Sequence, residues 1–257
     1  MPIQSYFGQK EPPEDAEIWR FMSLRKFQDL MATEELYFCR ADLFPQDKNE
    51  GIPPEEYLRL VMGLNRYVLE DEKELNRQMG SLAQFREMYY VNCWHLFRQE
   101  TPEIWEEFGK DGLAICSRYE LLKSALNGML DRTYLGLVQY GDQHLTRTRR
   151  FNTLQFISTK RIEYTVECEV RAFLEAQDPL DGGNRHFDEN NRPHRGPLPE
   201  NPRHHWVHNS KRRRIDLRAL IKRLVVSPSA SKEVSDEVKL WINVKQHSYP
   251  VRKSVLG

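Results

Sequence analysis

The chain has 257 residues, long for one domain and short for two, and at that length it can bury a core without disulfide or metal staples. Its 38 basic and 38 acidic side chains cancel, which excludes a protein whose main task is to coat nucleic acid or a membrane surface, since both need a strong basic field. No apolar run approaches the roughly 20 residues of a membrane span. Met1–Glu17 lacks the basic-then-apolar pattern of an export signal, so the expected address is the cytoplasm. Cys39, Cys93, Cys116 and Cys168 lie far apart in apolar runs without a CxxC spacing. They are expected to be mainly buried free thiols, with no disulfide.

Residues 1–17 read as a flexible lead-in and residues 18–257 as one α+β domain. Ile18–Phe21 is a short strand, and Ser23 caps a helix whose Leu24, Phe27, Leu30 and Met31 share a face. Leu36–Ala41 is a strand with Leu36 and Phe38 on one side. A polar loop, Asp42–Pro54, follows. Tyr57, Val61, Leu64 and Val68 then form a helical stripe that continues into the charged run Glu70–Arg77. Met88–His95 is an aromatic-rich strand, and Thr101-Pro102-Glu103 is a helix start. Leu113–Ser117 is a strand, Arg118–Met129 a helix and Tyr134–Tyr140 a strand, while Phe151–Thr159 fits either type. Ile162–Leu174 alternates apolar and polar residues throughout and is expected to be one long strand. Residues 178–209 form a long loop, Asp216–Leu220 a short helix, and Leu224–Ser227 a strand ended by Pro228. Ser231 or Ser235 caps a last helix, and Pro250–Leu256 adds an edge strand. Strands scattered among helices without βαβ spacing predict a mixed or mainly antiparallel sheet flanked by helices. No glycine-rich phosphate loop follows any strand, which disfavours a doubly wound fold.

The alternation puts Glu167, Glu169 and Arg171 on one face of the long strand, with neighbouring carboxylates roughly 7 Å apart. Such a pair can grip sugar hydroxyls or act as general acid and base. Its alternative is a solvated sheet face of cross-strand partners. Arg20, set between Trp19 and Phe21, suits phosphate or carboxylate binding, or stacks on Trp19. The loop containing Asp42, Asp47, Asn49, Glu50 and Gly51 lacks EF-hand spacing. His186, His194, His204, His205 and His208 fall in loop-like surroundings, so no metal is expected. Lys211-Arg212-Arg213-Arg214 is a short basic run that could touch phosphate or simply face solvent.

The order of the motifs carries further information. Trp19-Arg20-Phe21-x-Ser23 is followed by Leu36-Tyr37-Phe38, Ala41-Asp42-x-Phe44-x-x-Asp47-x-x-Glu50-Gly51 and Cys93-Trp94. Then come Trp105, Gly112-Leu113-Ala114-Ile115, Lys160 and Tyr164-x-x-Glu167-x-Glu169-Val170-Arg171. This order resembles a widespread, uncharacterised bacterial family, similar to proteins found near abortive-infection and other phage-defence genes. Phe108-Gly109 departs from it, since the family pattern more often has a tyrosine there. That family in turn distantly resembles the ADP-ribosyltransferases. The resemblance implies a split sheet and NAD as substrate. It implies Glu169 and Glu167 as catalytic carboxylates, and Arg20, Ser23, Arg171, Asp47 and Glu50 as cofactor-binding residues. Ser117 and Tyr37 are candidates for a middle-motif hydroxyl. The acceptor would be an unidentified protein or nucleic acid, and Glu169→Gln is expected to lower turnover by at least about a hundredfold with the fold intact. Two alternatives stand beside this reading: a non-enzymatic binding or regulatory module of the same family, and a nucleic-acid-associated protein that uses the basic run.

Overall fold

The structure is a computed structural model that describes residues 2–6, 8–44, 50–96, 100–141, 153–175 and 209–256, and one strand organises it. This is β3 (Tyr89–Leu96). Along one edge it pairs with β8 (Glu169–Glu175), from Tyr89↔Glu175 to His95↔Glu169, and β8 pairs in turn with β5 (Thr133–Leu137). The other edge of β3 is shared. β1 (Glu17–Met22) takes one end at Ile18↔Leu96 and Trp19↔His95, and β2 (Glu35–Arg40) takes the other at Cys39↔Val91 and Arg40↔Tyr90. The sheet therefore forks. One arm runs from β1 through β4 (Leu113–Arg118) and β10 (Arg223–Val226) to β11 (Val251–Lys253), and the other from β2 to β9 (Ser210–Arg214). These ladders are antiparallel except β10–β11, so the chain is α+β with a largely antiparallel mixed sheet. A separate parallel pair joins β6 (Gln139–Tyr140) to β7 (Thr159–Lys160).

Period-two alternation decides what each face carries. On β8, Val170, Ala172 and Leu174 enter the main core with Trp94, Leu36, Phe38 and Ile18. Two helices close that core. α1 (Leu24–Thr33) starts where Ser23 accepts the Lys26 N–H and buries Phe27, Leu30 and Met31. The last helix, Lys232–Val244, follows Ser231 and buries Val238 and Ile242. The opposite face carries smaller apolar groups, Val91 with Phe173, Leu154 and Ile157, and Trp19 with Trp105 and Ala114.

Four expectations need correction. Ile162–Glu167 is a 3₁₀ turn, not strand, and Cys168 sits in the left-handed region at φ 42° before β8 begins. The ladder with β3 ends at His95↔Glu169, and the Leu96 N–H goes to the Cys168 carbonyl, so the earlier residues have no edge to join. Ile162 and Val166 are accordingly 62% and 73% exposed. Second, the stripe from Tyr57 does not run on: α2 (Glu55–Met62) stops at Gly63 with φ 69°, and α3 (Leu69–Phe85) starts afresh. Third, Cys168 is exposed, and of the four free thiols only Cys116 is fully buried. Fourth, Glu167 lies in the 3₁₀ turn and so shares no strand face with Glu169 and Arg171. In the lead-in, the Gln4 N–H reaches the Thr133 carbonyl, and the Leu137 N–H reaches that of Lys10. The 178–208 part of the long loop, Asp47 and all five loop histidines lie outside the described residues. Among the described residues, no helix is long and apolar enough to cross a membrane.

Candidate functional site

The face of β8 that points away from the helical core carries Glu169 and Arg171 side by side. Arg171 donates Nε to Glu169 Oε1 at 2.5 Å and Nη2 to Oε2 at 2.8 Å, a two-pronged pair. Its Nη1 reaches the Ile157 carbonyl at 2.7 Å, and Nη2 also donates to Glu50. Glu169 is 2% exposed and Arg171 1%.

The turn that displaces the expected strand returns Glu167 to the same cluster. There it meets Lys160, delivered by β7: Nζ lies 2.6 Å from Glu167, 3.1 Å from Glu169 and 3.8 Å from Glu50. The expected strand face shared by Glu167, Glu169 and Arg171 is thus not formed: Glu167 lies in the turn and meets Glu169 in the cluster through Lys160. The Glu167 backbone is fixed separately. Its carbonyl lies 3.0 Å from His95 Nδ1, and a carbonyl can only accept, so Nδ1 carries the proton.

These groups floor a cavity of about 360 Å³. Phe21, Tyr37, Phe44 and Phe108 supply aromatic wall, with His95 and Cys93 between them. Phe108 occupies the position that departs from the motif order. It packs 4.5 Å from His95, so an aromatic ring is present there without a hydroxyl. The cavity lies where the sheet forks. Arg20 fills the gap between the arms and donates to the Cys93 carbonyl at 3.1 Å, with a longer 3.5 Å contact to the Tyr37 carbonyl. Among the described residues, Arg20 has no carboxylate partner.

The electrostatics separate the two candidate carboxylates. Burial pushes Glu169 up, but Arg171 and then Lys160 outweigh it and hold the carboxyl well below the usual range. Burial also pushes Glu167 up, and there the Lys160 bond only partly offsets it, so Glu167 holds its proton more tightly than usual. Burial lowers the pKa of Arg20, and no carboxylate among the described residues counters it. Burial likewise lowers that of His95, favouring the neutral ring, and raises that of Cys93, favouring the thiol. Two carboxyls with proton affinities pushed apart are the physical basis of an acid–base pair.

Not every expected residue joins. Arg20, Glu50, Glu167, Glu169, Arg171 and Tyr37 line one cavity. Ser23 is used as the cap of α1, and Ser117 donates to the Leu220 carbonyl at 2.6 Å; neither lines the cavity. The basic run forms β9 and is met by acids: Lys211 and Arg213 pair with Asp131, Arg212 with Asp29 and Arg214 with Glu34. No group of three or more His, Cys, Asp or Glu among the described residues could hold a metal. Lys160 and Cys93 stand in the motif order without a role, and His95 carried no signal beyond its place in a strand. Only the β6–β7 pairing and the end of β3 bring them to Glu167.

No protein-family model, no curated protein and no solved structure matches this chain.

Proposed function

We propose that the cavity at the fork is an active site that binds NAD and cleaves its nicotinamide–ribose bond, an ADP-ribosyltransferase-like activity. The observation that carries this reading is the pairing of opposed demands in one cavity: an arginine with no carboxylate partner among the described residues, and two carboxyls of divided proton affinity. NAD brings a pyrophosphate that needs a cation and a ribose whose hydroxyls need acceptors. At about 360 Å³ the cavity is small among ligand sites, which run from roughly 300 to 1,000 Å³, so it suits the nicotinamide riboside end with the rest of the molecule outside.

In this reading the C1′–N bond breaks and its electron pair leaves with nicotinamide. The positive charge that develops at C1′ is stabilised by the carboxylates. Glu167 takes the proton from the attacking hydroxyl or water. Glu169, with both oxygens held by cations, supplies fixed negative charge and orients Arg171 rather than moving a proton. A protein or nucleic-acid acceptor, and an effector or modifier role in phage defence, rest on the motif order alone.

One observation favours a second reading, a non-enzymatic binding or regulatory module. Glu50, Glu169, Lys160 and Arg171 satisfy one another, as a purely structural ion network would. Thermal melting with NAD separates the two. The enzymatic reading expects the wild type to gain several degrees in saturating NAD, and Arg20→Gln to lose most of that gain. No NAD-dependent shift in the wild type would favour the module.

A further inference from the structure

We infer that Lys160 is the positioning residue of this site: its ammonium holds the Glu167 carboxylate in place and sets that group's affinity for a proton. The inference rests on reading Glu167 as the acid–base group. The division of labour among the cations carries it. Arg171 already holds both oxygens of Glu169 and reaches Glu50 as well. Among the described residues, Lys160 is the only cation bonded to Glu167, and it is itself buried, at 8% exposed. Tyr164 lies under it, with the ammonium 5.1 Å from the ring centre, which limits where the amine can go.

The backbone of the turn is held from another side. The His95 ring bonds the Glu167 carbonyl, and the Leu96 N–H bonds that of Cys168. Those bonds fix the left-handed residue at Cys168, while the direction of the Glu167 side chain is left to Lys160. The charges around Glu167 come from several elements. Glu169 and Arg171 face it from β8, and Glu50 from ahead of α2. Arg20 of β1, Lys26 of α1, His95 and Cys93 of β3, and Glu107 of the Trp105–Gly109 turn line the same cavity. Without the ammonium, Glu167 would face two carboxylates with the Arg171 guanidinium already bonded to both.

The test is a carbon-13 NMR titration of the Glu167 carboxyl, assigned by its loss in Glu167→Gln. Lys160→Met should raise its pKa by about one to three units, the usual effect of losing an opposite charge at this range, and Lys160→Arg should hold it within about one unit of the wild type. A folded Lys160→Met protein whose Glu167 titrates within about 0.3 unit of the wild type would overturn the role. If Lys160→Met does not fold, adding Glu167→Gln decides. Recovery of the fold supports the pairing, and continued failure overturns it, because the lysine would then serve Glu50 and Glu169 instead. Where nicotinamide release is measurable, its acid limb should move with the titration. Absence of release by the wild type defeats the enzymatic reading alone, and the titration still decides what Lys160 does.

Discussion

Glu169 shows how burial changes what a substitution tests. Glu169→Gln keeps the shape of the side chain, yet it leaves Arg171, 1% exposed, with Glu50 as its remaining bonded anion among the described residues. Breaking a buried pair from one side costs about 3–5 kcal/mol, so the variant should be markedly less stable in urea, contrary to the expectation of an intact fold. An unchanged unfolding midpoint would contradict the geometry. The two glutamates should also pull stability in opposite directions with pH. The folded pKa of Glu169 is depressed, so its contribution is present above the ordinary carboxylate value, about 4.3, and is lost as pH falls through the folded value. The folded pKa of Glu167 is raised, so its contribution is present below about 4.3 and is lost as pH rises through the folded value. Glu167→Gln mimics the neutral form and should gain on the wild type as urea midpoints are followed upward from acid pH. The thiols give a simpler check at this scale. Cys168 is exposed, whereas Cys116 is buried and its thiol is pushed up to about 12. A native thiol titration should find one fast group, absent in Cys168→Ser.

At the scale of elements, the turn after α4 (Pro102–Ile104) carries Phe108 and Glu107 to the cavity. Residues Trp105–Gly109 form a π-helical turn, a geometry that often marks functional positions. A methyl group on Gly109 would sit 2.6 Å from the Trp105 ring and 2.8 Å from Phe21. Gly109→Ala should therefore cost about 1–3 kcal/mol and disturb the Phe108–His95 packing, visible as changed aromatic NMR shifts. A variant with native stability and an unchanged spectrum would show that the turn has slack. Elements whose local signals agree were legible in the sequence. The Ser23 cap with its apolar stripe gave α1, and the same-side pair Leu36 and Phe38 gave β2. The alternation across Val170, Ala172 and Leu174 gave β8. The same alternation misled over Ile162–Glu167, because a strand needs a partner edge, and that depends on where β3 ends. Nothing in a cysteine announces a left-handed residue, a conformation that costs a non-glycine residue roughly 1–2 kcal/mol. The site was half legible for the same reason. Glu169 and Arg171 follow from a period of two, whereas Glu167 returns through a turn, and Lys160 and His95 arrive only through tertiary register.

For the whole molecule, the fork in the sheet places chemistry that no single motif contains. β1 and β2 separate along one edge of β3, and the gap is filled by Arg20 and roofed by aromatic rings. The balanced charge of the chain is repeated locally on β9, where each of the four basic residues has a carboxylate partner. The protein should therefore show no salt-dependent affinity for single-stranded oligonucleotides at about 0.15 M salt, and tight binding that weakens steeply with salt would restore the nucleic-acid reading. The central claim is that the divided carboxyls beside Arg20 cleave NAD. Nicotinamide release from NAD, compared between wild type and Glu167→Gln at neutral pH, tests it most directly. The account predicts measurable release by the wild type and a rate lower by about a hundredfold or more in Glu167→Gln, the scale for losing one acid–base group. No release by the wild type, or an undiminished rate in Glu167→Gln, would contradict it.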